Sequence, residues 1–298
     1  MAQTQTHLYK RQKISCTPPK KLMSRGFGFH EMHYLEWGDK NAEKTVICVH
    51  GFTRNAHDFD FIACDLVQAG YRVICPEIVG RGKSDWLRIK KMYGYPLYVA
   101  DILTLINKLG ITSTDWIGTS MGGLIGMMVE SSFPHIINKL VLNDVGAFLP
   151  KESLMRIGEH VGQNMTFPDK NKAEEYLKDY LTPFGVKEDS HFNHIMRHSF
   201  VIEEDGTYRL AYDPAISHPF RKNNGKQKKM PDLNLWKLWD IITPPTLLLR
   251  GEDSDVLTKE TAERMAKRDN VELVEFSEVG HAPMLMERKQ IETIINWL

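Results

Sequence analysis

The sequence predicts an α/β protein with a doubly wound, mostly parallel β-sheet. The first observation is a set of short runs that are apolar without alternation, which is typical of strands covered by helices on both faces. These runs begin at Lys44, Tyr71, Thr114, Lys139, Pro245 and Val271. The second observation is that helical patterns separate several of the runs, and strands alternating with helices form right-handed βαβ units.

The other elements follow from local patterns. Apolar and polar residues alternate over residues 29–37, which predicts one or two antiparallel strands before the parallel runs. Apolar residues three and four apart predict a helix over residues 98–109, closed by Gly110. The small, apolar residues 122–130 predict a helix packed against the sheet, and the amphipathic residues 288–298 predict a C-terminal helix.

Residues 147–240 interrupt the alternation of strands and helices. Their pattern is mostly helical or irregular, and the segment is too long for a simple connection between two strands. It therefore predicts a helical cap inserted between strands six and seven, with residues 26–146 and 241–298 forming the core. Residues 1–25 are basic and contain Pro18-Pro19, which predicts a flexible N-terminal arm. Binding of a polyanion by this arm is the alternative.

Composition excludes several classes of protein. Lys and Arg total 38, as do Asp and Glu, and this zero net charge argues against a globally basic nucleic-acid binder. No apolar stretch is long enough for a transmembrane helix, and the N-terminal residues lack the apolar core of a secretory signal. The four cysteines show no metal-ligand spacing. We interpret them as buried, reduced thiols and expect a cytoplasmic protein without a membrane span.

The most informative motif is G-T-S-M-G-G at residues 118–123. It fits G-x-S-x-G, with an apolar strand before it and a small, apolar helix after it. A sharp turn between strand and helix needs small neighbours at Gly118 and Gly122. It exposes Ser120 at a helix N-terminus, where free N–H groups favour developing negative charge. This context predicts that Ser120 is a nucleophile.

A nucleophilic serine needs a base and donors for the oxyanion. His281 follows the last strand, at the carboxyl edge of the sheet where Ser120 is also expected. The backbone N–H groups of Phe52 and Met121 are the candidate oxyanion donors, because one follows a buried strand and the other follows the serine. His50, beside Phe52, is interpreted as a residue that holds the loop.

Taken together, these motifs resemble an α/β-hydrolase from about residue 27 to the C-terminus. The matching segments are H-G at 50–51, G-R-G-K-S-D at 80–85, the Ser120 motif, the acidic loop after the penultimate strand and G-H at 280–281. The chain is especially similar to small bacterial hydrolases with a helical cap. The resemblance implies that Ser120 is the nucleophile, that His281 is the general base and then acid, and that Asp255 orients His281.

The acid is the point where the sequence departs from the family's pattern. Many α/β-hydrolases read G-x-x-D after the penultimate strand, which would place the acid at residue 254, but this chain has Ser254 there. The G-E-D-S-D-V-L segment at 251–257 resembles a G-E-x-S-D-x-L pattern and favours Asp255. Asp144, after the strand that begins at Lys139, and Asp253 remain alternatives.

The expected function is that of a serine hydrolase, most simply a carboxylesterase acting on small or medium acyl groups admitted by the cap. The expected partner is a small-molecule acyl substrate, and the resemblance implies neither a metal nor an organic cofactor. A serine nucleophile argues against the dehalogenases and epoxide hydrolases, which use aspartate. Hydrolysis of a C–C bond, a lactone or a thioester remains open. So does a ligand receptor of the same fold, because fold alone does not determine function.

Overall fold

A computed structural model describes residues 9–18, 23, 28–162, 165–221 and 226–298. Its centre is an eight-stranded β-sheet. The strands are β1 (Tyr9–Cys16), β2 (His30–Trp37), β3 (Lys44–Val49), β4 (Tyr71–Pro76), β5 (Thr114–Thr119), β6 (Ile137–Asn143), β7 (Thr246–Gly251) and β8 (Val271–Phe276). Their order across the sheet is β1-β2-β4-β3-β5-β6-β7-β8. The predicted apolar runs are therefore the strands β3 to β8.

The sheet is mostly parallel, as predicted. The pairs β3–β4, β3–β5, β5–β6, β6–β7 and β7–β8 are parallel, whereas β1–β2 and β2–β4 are antiparallel. Each face of the sheet carries its own apolar core. In β3, for example, Ile47 and Val49 pack into one core and Val46 and Cys48 into the other. Burial on both faces explains why these strands are apolar without alternation.

Helices cover both faces of the sheet and form most of the segment between β6 and β7. They are α1 (Asp60–Gln68), α2 (Tyr95–Lys108), α3 (Met121–Ser132), α4 (Lys151–His160), α5 (Lys170–Leu181), α6 (Asp189–Ser199), α7 (Trp236–Trp239), α8 (Lys259–Met265) and α9 (Arg288–Trp297). Shorter 3-10 helices span Ala56–Phe59, Lys90–Met92, Thr182–Phe184 and Pro214–Phe220. Among the helices of the described residues, none has the length and apolar character needed to cross a bilayer.

The segment between β6 and β7 contains α4 to α7 and, in addition, short strands. Three of these form a small sheet and two form a ribbon. The strands are Thr166–Phe167, Phe200–Ile202, Tyr208–Leu210, Phe148–Leu149 and Leu233–Asn234. With two or three residues each, they are too short to show an alternating pattern in the sequence. The division of the chain into a core and a cap at residues 147–240 stays a prediction.

The expectation of a flexible arm over residues 1–25 is wrong for Tyr9–Cys16, which forms β1 at the edge of the sheet. This strand pairs with all eight residues of β2, from Tyr9 opposite Trp37 to Cys16 opposite His30. Ile14 and Cys16 are buried, and Lys10 and Lys13 are exposed. The basic residues are thus part of an edge strand, and Arg11 forms an ion pair with the buried Glu77. Residues 1–8, 19–22 and 24–25 of the predicted arm lie outside the described residues.

Candidate active site

Ser120 lies in a sharp turn between the end of β5 and the start of α3. Its φ of 50° and ψ of −110° are unfavourable for an L-residue, and such strain is found where a side chain has to be held in one direction. The backbone also passes very close to β3: a Cβ atom on Gly122 would lie 1.9 Å from the carbonyl oxygen of Val49. Only glycine fits at residue 122, which explains the G-x-S-x-G spacing.

The structure brings Ser120 and His281 into contact, as the positions of their strands predicted. His281 Nε2 lies 3.0 Å from Ser120 Oγ, and His281 Nδ1 lies 2.6 Å from the carboxylate of Asp144. The Asp144 side chain has no exposed surface, and that of His281 is mostly buried. Because a carboxylate can only accept, the proton on His281 belongs to Nδ1, and Nε2 is left free to accept the proton of Ser120.

Asp144 follows β6 in a backbone conformation with φ of 56°. Besides His281, two groups from the loop after β7 donate to its carboxylate. They are the Gly251 N–H, at 3.1 Å, and the Ser254 hydroxyl, at 2.5 Å. Ser254 Oγ in turn accepts from the N–H groups of residues 256 and 257, so its own proton is directed at Asp144. These donors compensate the cost of burying a carboxylate.

The expectation that Asp255 contacts His281 is wrong, and Asp144 takes that position instead. Asp255 is bound to Arg156 of α4, with two N···O distances of 2.6 and 2.7 Å, and its side chain is 47% exposed. The reason is the path of the loop after β7, which turns the Ser254 side chain inward and that of Asp255 outward. Asp253, the other alternative, is also exposed.

The loop that carries Phe52 is fixed by two buried residues. His50 donates from Nδ1 to the Gly51 carbonyl at 2.7 Å, and its Nε2 accepts from the Ile78 N–H at 3.0 Å. Burial lowers the pKa of His50 to about 4, so the imidazole is neutral at pH 7. Arg81, which is fully buried, donates to the Phe52 carbonyl at 2.8 Å. Reasoning from the sequence missed this role of Arg81, although its G-R-G context stood out.

Phe52 and Met121, the predicted oxyanion donors, belong to two segments near Ser120. Phe52 lines the same cavity as Ser120. Met121 is the first residue of α3, and the first N–H groups of a helix have no acceptor within that helix. The Met121 amide is thus placed at a helix N-terminus, which favours negative charge.

A cavity of about 490 Å³ opens above Ser120. Its walls come partly from the core, with Phe52, Ser120 and His281, and partly from the segment between β6 and β7. That second wall includes Arg156, Ile157, His160, Val161, Tyr176, Asp179, Tyr180, Pro183 and Phe184. A substrate at Ser120 would therefore contact both parts of the chain.

Among the described residues, three clusters hold side chains close enough together to ligate a metal ion. They are Cys16–His30–Asp101, His57–Asp60–His198 and Glu188–His191–Glu287. None of these residues lines the cavity above Ser120. The groups in contact at Ser120 are its hydroxyl, the imidazole of His281 and, behind it, the buried carboxylate of Asp144.

Comparison with known proteins agrees with this geometry. The family model described as alpha/beta hydrolase fold matches residues 44–287. A 3-hydroxybutyrate-oligomer hydrolase from Cupriavidus necator is 38% identical over 269 residues, which cover 89% of this chain and 91% of that protein.

Two crystal structures also match nearly the whole chain. A Rickettsia typhi protein has a TM-score of 0.88 at 34% identity, with 97% of this chain and 98% of that one covered. An alpha/beta hydrolase from Novosphingobium aromaticivorans has a TM-score of 0.83 at 32% identity, with 97% and 99% covered.

Proposed function

Since this chain belongs to the α/β-hydrolase fold family and is a hydrolase, we propose that it cleaves carboxylic esters with Ser120, His281 and Asp144. The observation that carries the proposal is the continuous set of contacts from Ser120 Oγ to His281, at 3.0 Å, and from His281 to Asp144, at 2.6 Å. A serine hydroxyl is a weak nucleophile unless an adjacent base takes its proton. His281 is the base in contact with it.

The reaction proceeds in two halves. Ser120 Oγ attacks the ester carbonyl carbon while its proton moves to His281 Nε2, and Asp144 stabilises the imidazolium that forms. His281 then gives the proton to the departing alcohol oxygen, which leaves an acyl group on Ser120. Water, activated by His281 in the same way, releases the acid and restores the serine.

The negative charge on the attacked carbonyl oxygen also needs donors. The backbone N–H groups of Phe52 and Met121 are our candidates, because they lie on the two segments that border Ser120. Donors that are fixed before the reaction cost no reorganisation, and each is worth about 10²–10³ in kcat. The bonds that hold the Phe52 loop through His50 and Arg81 provide this fixation.

We propose short linear esters of hydroxy acids as the substrate. Support comes from the 3-hydroxybutyrate-oligomer hydrolase, which is similar to this chain over most of both lengths. The cavity of about 490 Å³ is consistent with a short ester chain. The contribution of Tyr176, Tyr180 and Phe184 to its wall suits small or medium acyl groups rather than a lipid surface.

The test is turnover by the purified protein of p-nitrophenyl butyrate and of a linear 3-hydroxybutyrate trimer. We expect Ser120→Ala to fold normally and to lose at least ~10³ of kcat on both substrates. Wild-type turnover that survives in Ser120→Ala would contradict the proposal. So would the absence of turnover of any ester by the wild-type protein.

A further inference from the structure

A second, much smaller space of about 30 Å³, which we call the inner pocket, adjoins the cavity above Ser120. Six residues border both spaces: Thr53, Arg54, His160, Val161, Tyr176 and Tyr180. Neither Ser120 nor His281 borders the inner pocket. The inner pocket thus adjoins the cavity at these six residues and is separate from the surface formed by Ser120 and His281.

The chemistry of the reaction decides which part of an ester points into the inner pocket. The leaving alcohol must lie beside His281, because His281 protonates it. The carbonyl oxygen lies at the oxyanion donors, so the acyl substituent takes the remaining direction, away from His281. The inner pocket adjoins the cavity but is not bordered by His281, which assigns it to the acyl side.

The size of the inner pocket limits what can end there. A volume of about 30 Å³ corresponds to roughly two water molecules. A hydroxyl or a methyl group fits such a space, but a further ester unit does not. An acyl chain that enters it must therefore terminate there.

The walls of the inner pocket offer hydrogen-bond donors without a net positive charge. Thr53 Oγ1 and Tyr180 OH form a pair at 3.0 Å. Arg54 is buried and binds Asp58 through Nε and Nη2, and it binds Ser199 Oγ through Nη1. Within the described residues these bonds use three of its five N–H groups, and Asp58 balances its charge. Such a wall suits a neutral hydroxyl group of a substrate. It disfavours a substrate carboxylate, because that charge would lie near Asp58 without a free positive charge to balance it.

We propose that the inner pocket binds the free hydroxyl end of a hydroxyacyl ester, so that the protein shortens linear hydroxy-acid oligomers by one unit at a time from that end. The proposal rests on the ester hydrolase function argued above. In each cycle the carbonyl carbon of the unit that carries the free hydroxyl bonds to Ser120 Oγ. The ester C–O bond between this unit and the next one breaks. The serine proton passes through His281 to the oxygen of the shortened oligomer, and water then releases one hydroxy acid.

End-capped substrates test the direction of cleavage. With the methyl ester of the 3-hydroxybutyrate trimer, the first products should be 3-hydroxybutyric acid and the dimer methyl ester, identified by mass spectrometry. A trimer whose hydroxyl is acetylated should lose about tenfold or more in kcat/KM, because the acetyl group cannot enter the inner pocket and the hydroxyl donor is lost. First release of methyl 3-hydroxybutyrate or methanol, or equal cleavage of the acetylated and free trimers, would overturn the proposal.

Two variants test whether Thr53 and Tyr180 bind the hydroxyl group of the substrate. The ratio of kcat/KM for p-nitrophenyl 3-hydroxybutyrate to that for p-nitrophenyl butyrate should fall about tenfold in Thr53→Val and in Tyr180→Phe, because each removes one hydroxyl partner. Tyr208→Phe, which removes a hydroxyl from a tyrosine that borders neither space, is the matched control and should keep the wild-type ratio. An unchanged ratio in both test variants would overturn the assignment. Because one substrate of the Ser120→Ala test, p-nitrophenyl butyrate, has no hydroxyl, failure of this inference is distinguishable from failure of the hydrolase function.

Discussion

The loops after β6 and β7 lie next to each other at the carboxyl edge of the sheet, and each carries an aspartate close to the cavity. Asp144, after β6, is fully buried and accepts hydrogen bonds from Gly251, Ser254 and His281. Asp255, after β7, is about half exposed and is bound to Arg156. The comparison shows that a position at this edge of the sheet does not by itself make an aspartate the partner of His281. A carboxylate that orients a histidine has to be buried with it and held by its own donors.

The largest expected effect separates the two aspartates directly. Asp144→Asn should lower kcat by ~10³–10⁴, because His281 then loses both the lock on its Nδ1 proton and its counter-charge. Asp255→Asn is the matched control, and it should stay within about twofold of the wild type because exposed ion pairs contribute little. The measurement is steady-state turnover of p-nitrophenyl butyrate. The opposite order of effects would show that the loop after β7 supplies the acid.

The Asp144 and Asp255 variants can be compared only at pH values at which the folded protein is stable. The pH dependence of the free energy of unfolding sets this range. Burial lowers the pKa of His50 to about 4, against about 6.5 in an unfolded chain. The fold therefore holds a neutral imidazole, and the unfolded chain takes up the proton first. The contribution of His50 is complete above about pH 6.5 and is lost as the pH falls toward 4, up to about 3 kcal/mol.

Urea denaturation between about pH 7.5 and 4.5 measures this loss. The slope of the free energy of unfolding against pH should be the same in the wild type and in Asp255→Asn, because this change touches neither His50 nor the His281–Asp144 pair. His50→Gln should show a shallower slope, since that side chain has no proton to gain. Equal slopes in His50→Gln and the wild type would be inconsistent with the assignment.

A smaller effect is expected from the residue that joins the two loops. Ser254→Ala removes the hydroxyl that donates to Asp144, and we expect kcat to fall about tenfold with little change in KM. Ser254→Thr keeps the hydroxyl and should recover most of the activity, which a purely structural role of the loop would not require. Equal losses in the alanine and threonine variants would argue against a positioning role for Ser254.

The two loops also show what the sequence can reveal. The Ser120 turn was predictable because the sharp turn and the close approach of the backbone to its neighbours require glycine at fixed spacings from the serine. His281 was predictable because the last parallel strand must end at the same edge as β5. The choice between Asp144 and Asp255 depends on which way the loop after β7 turns its side chains. That direction is decided by contacts between segments that are distant in sequence. The indication in the sequence was Ser254, at the position where many α/β-hydrolases have the acid.

The edge strand β1 was missed for a similar reason. Its polar side chains resemble those of an unstructured arm, and only pairing with β2 gives the segment a buried face through Ile14 and Cys16. Partnerships between segments far apart in sequence leave little trace in local patterns. Such partnerships explain both why residues 9–16 form a strand and why Asp144 is the buried acid.

Covalent labelling with a small organophosphonate tests the central claim most directly, because the reagent needs only an activated nucleophile and its oxyanion donors. We predict a single adduct, on Ser120, by peptide mass spectrometry. The labelling rate should fall by at least ~10² in Asp144→Asn and stay at the wild-type value in Asp255→Asn. An adduct on another residue, or labelling that depends on Asp255 and not on Asp144, would contradict the account.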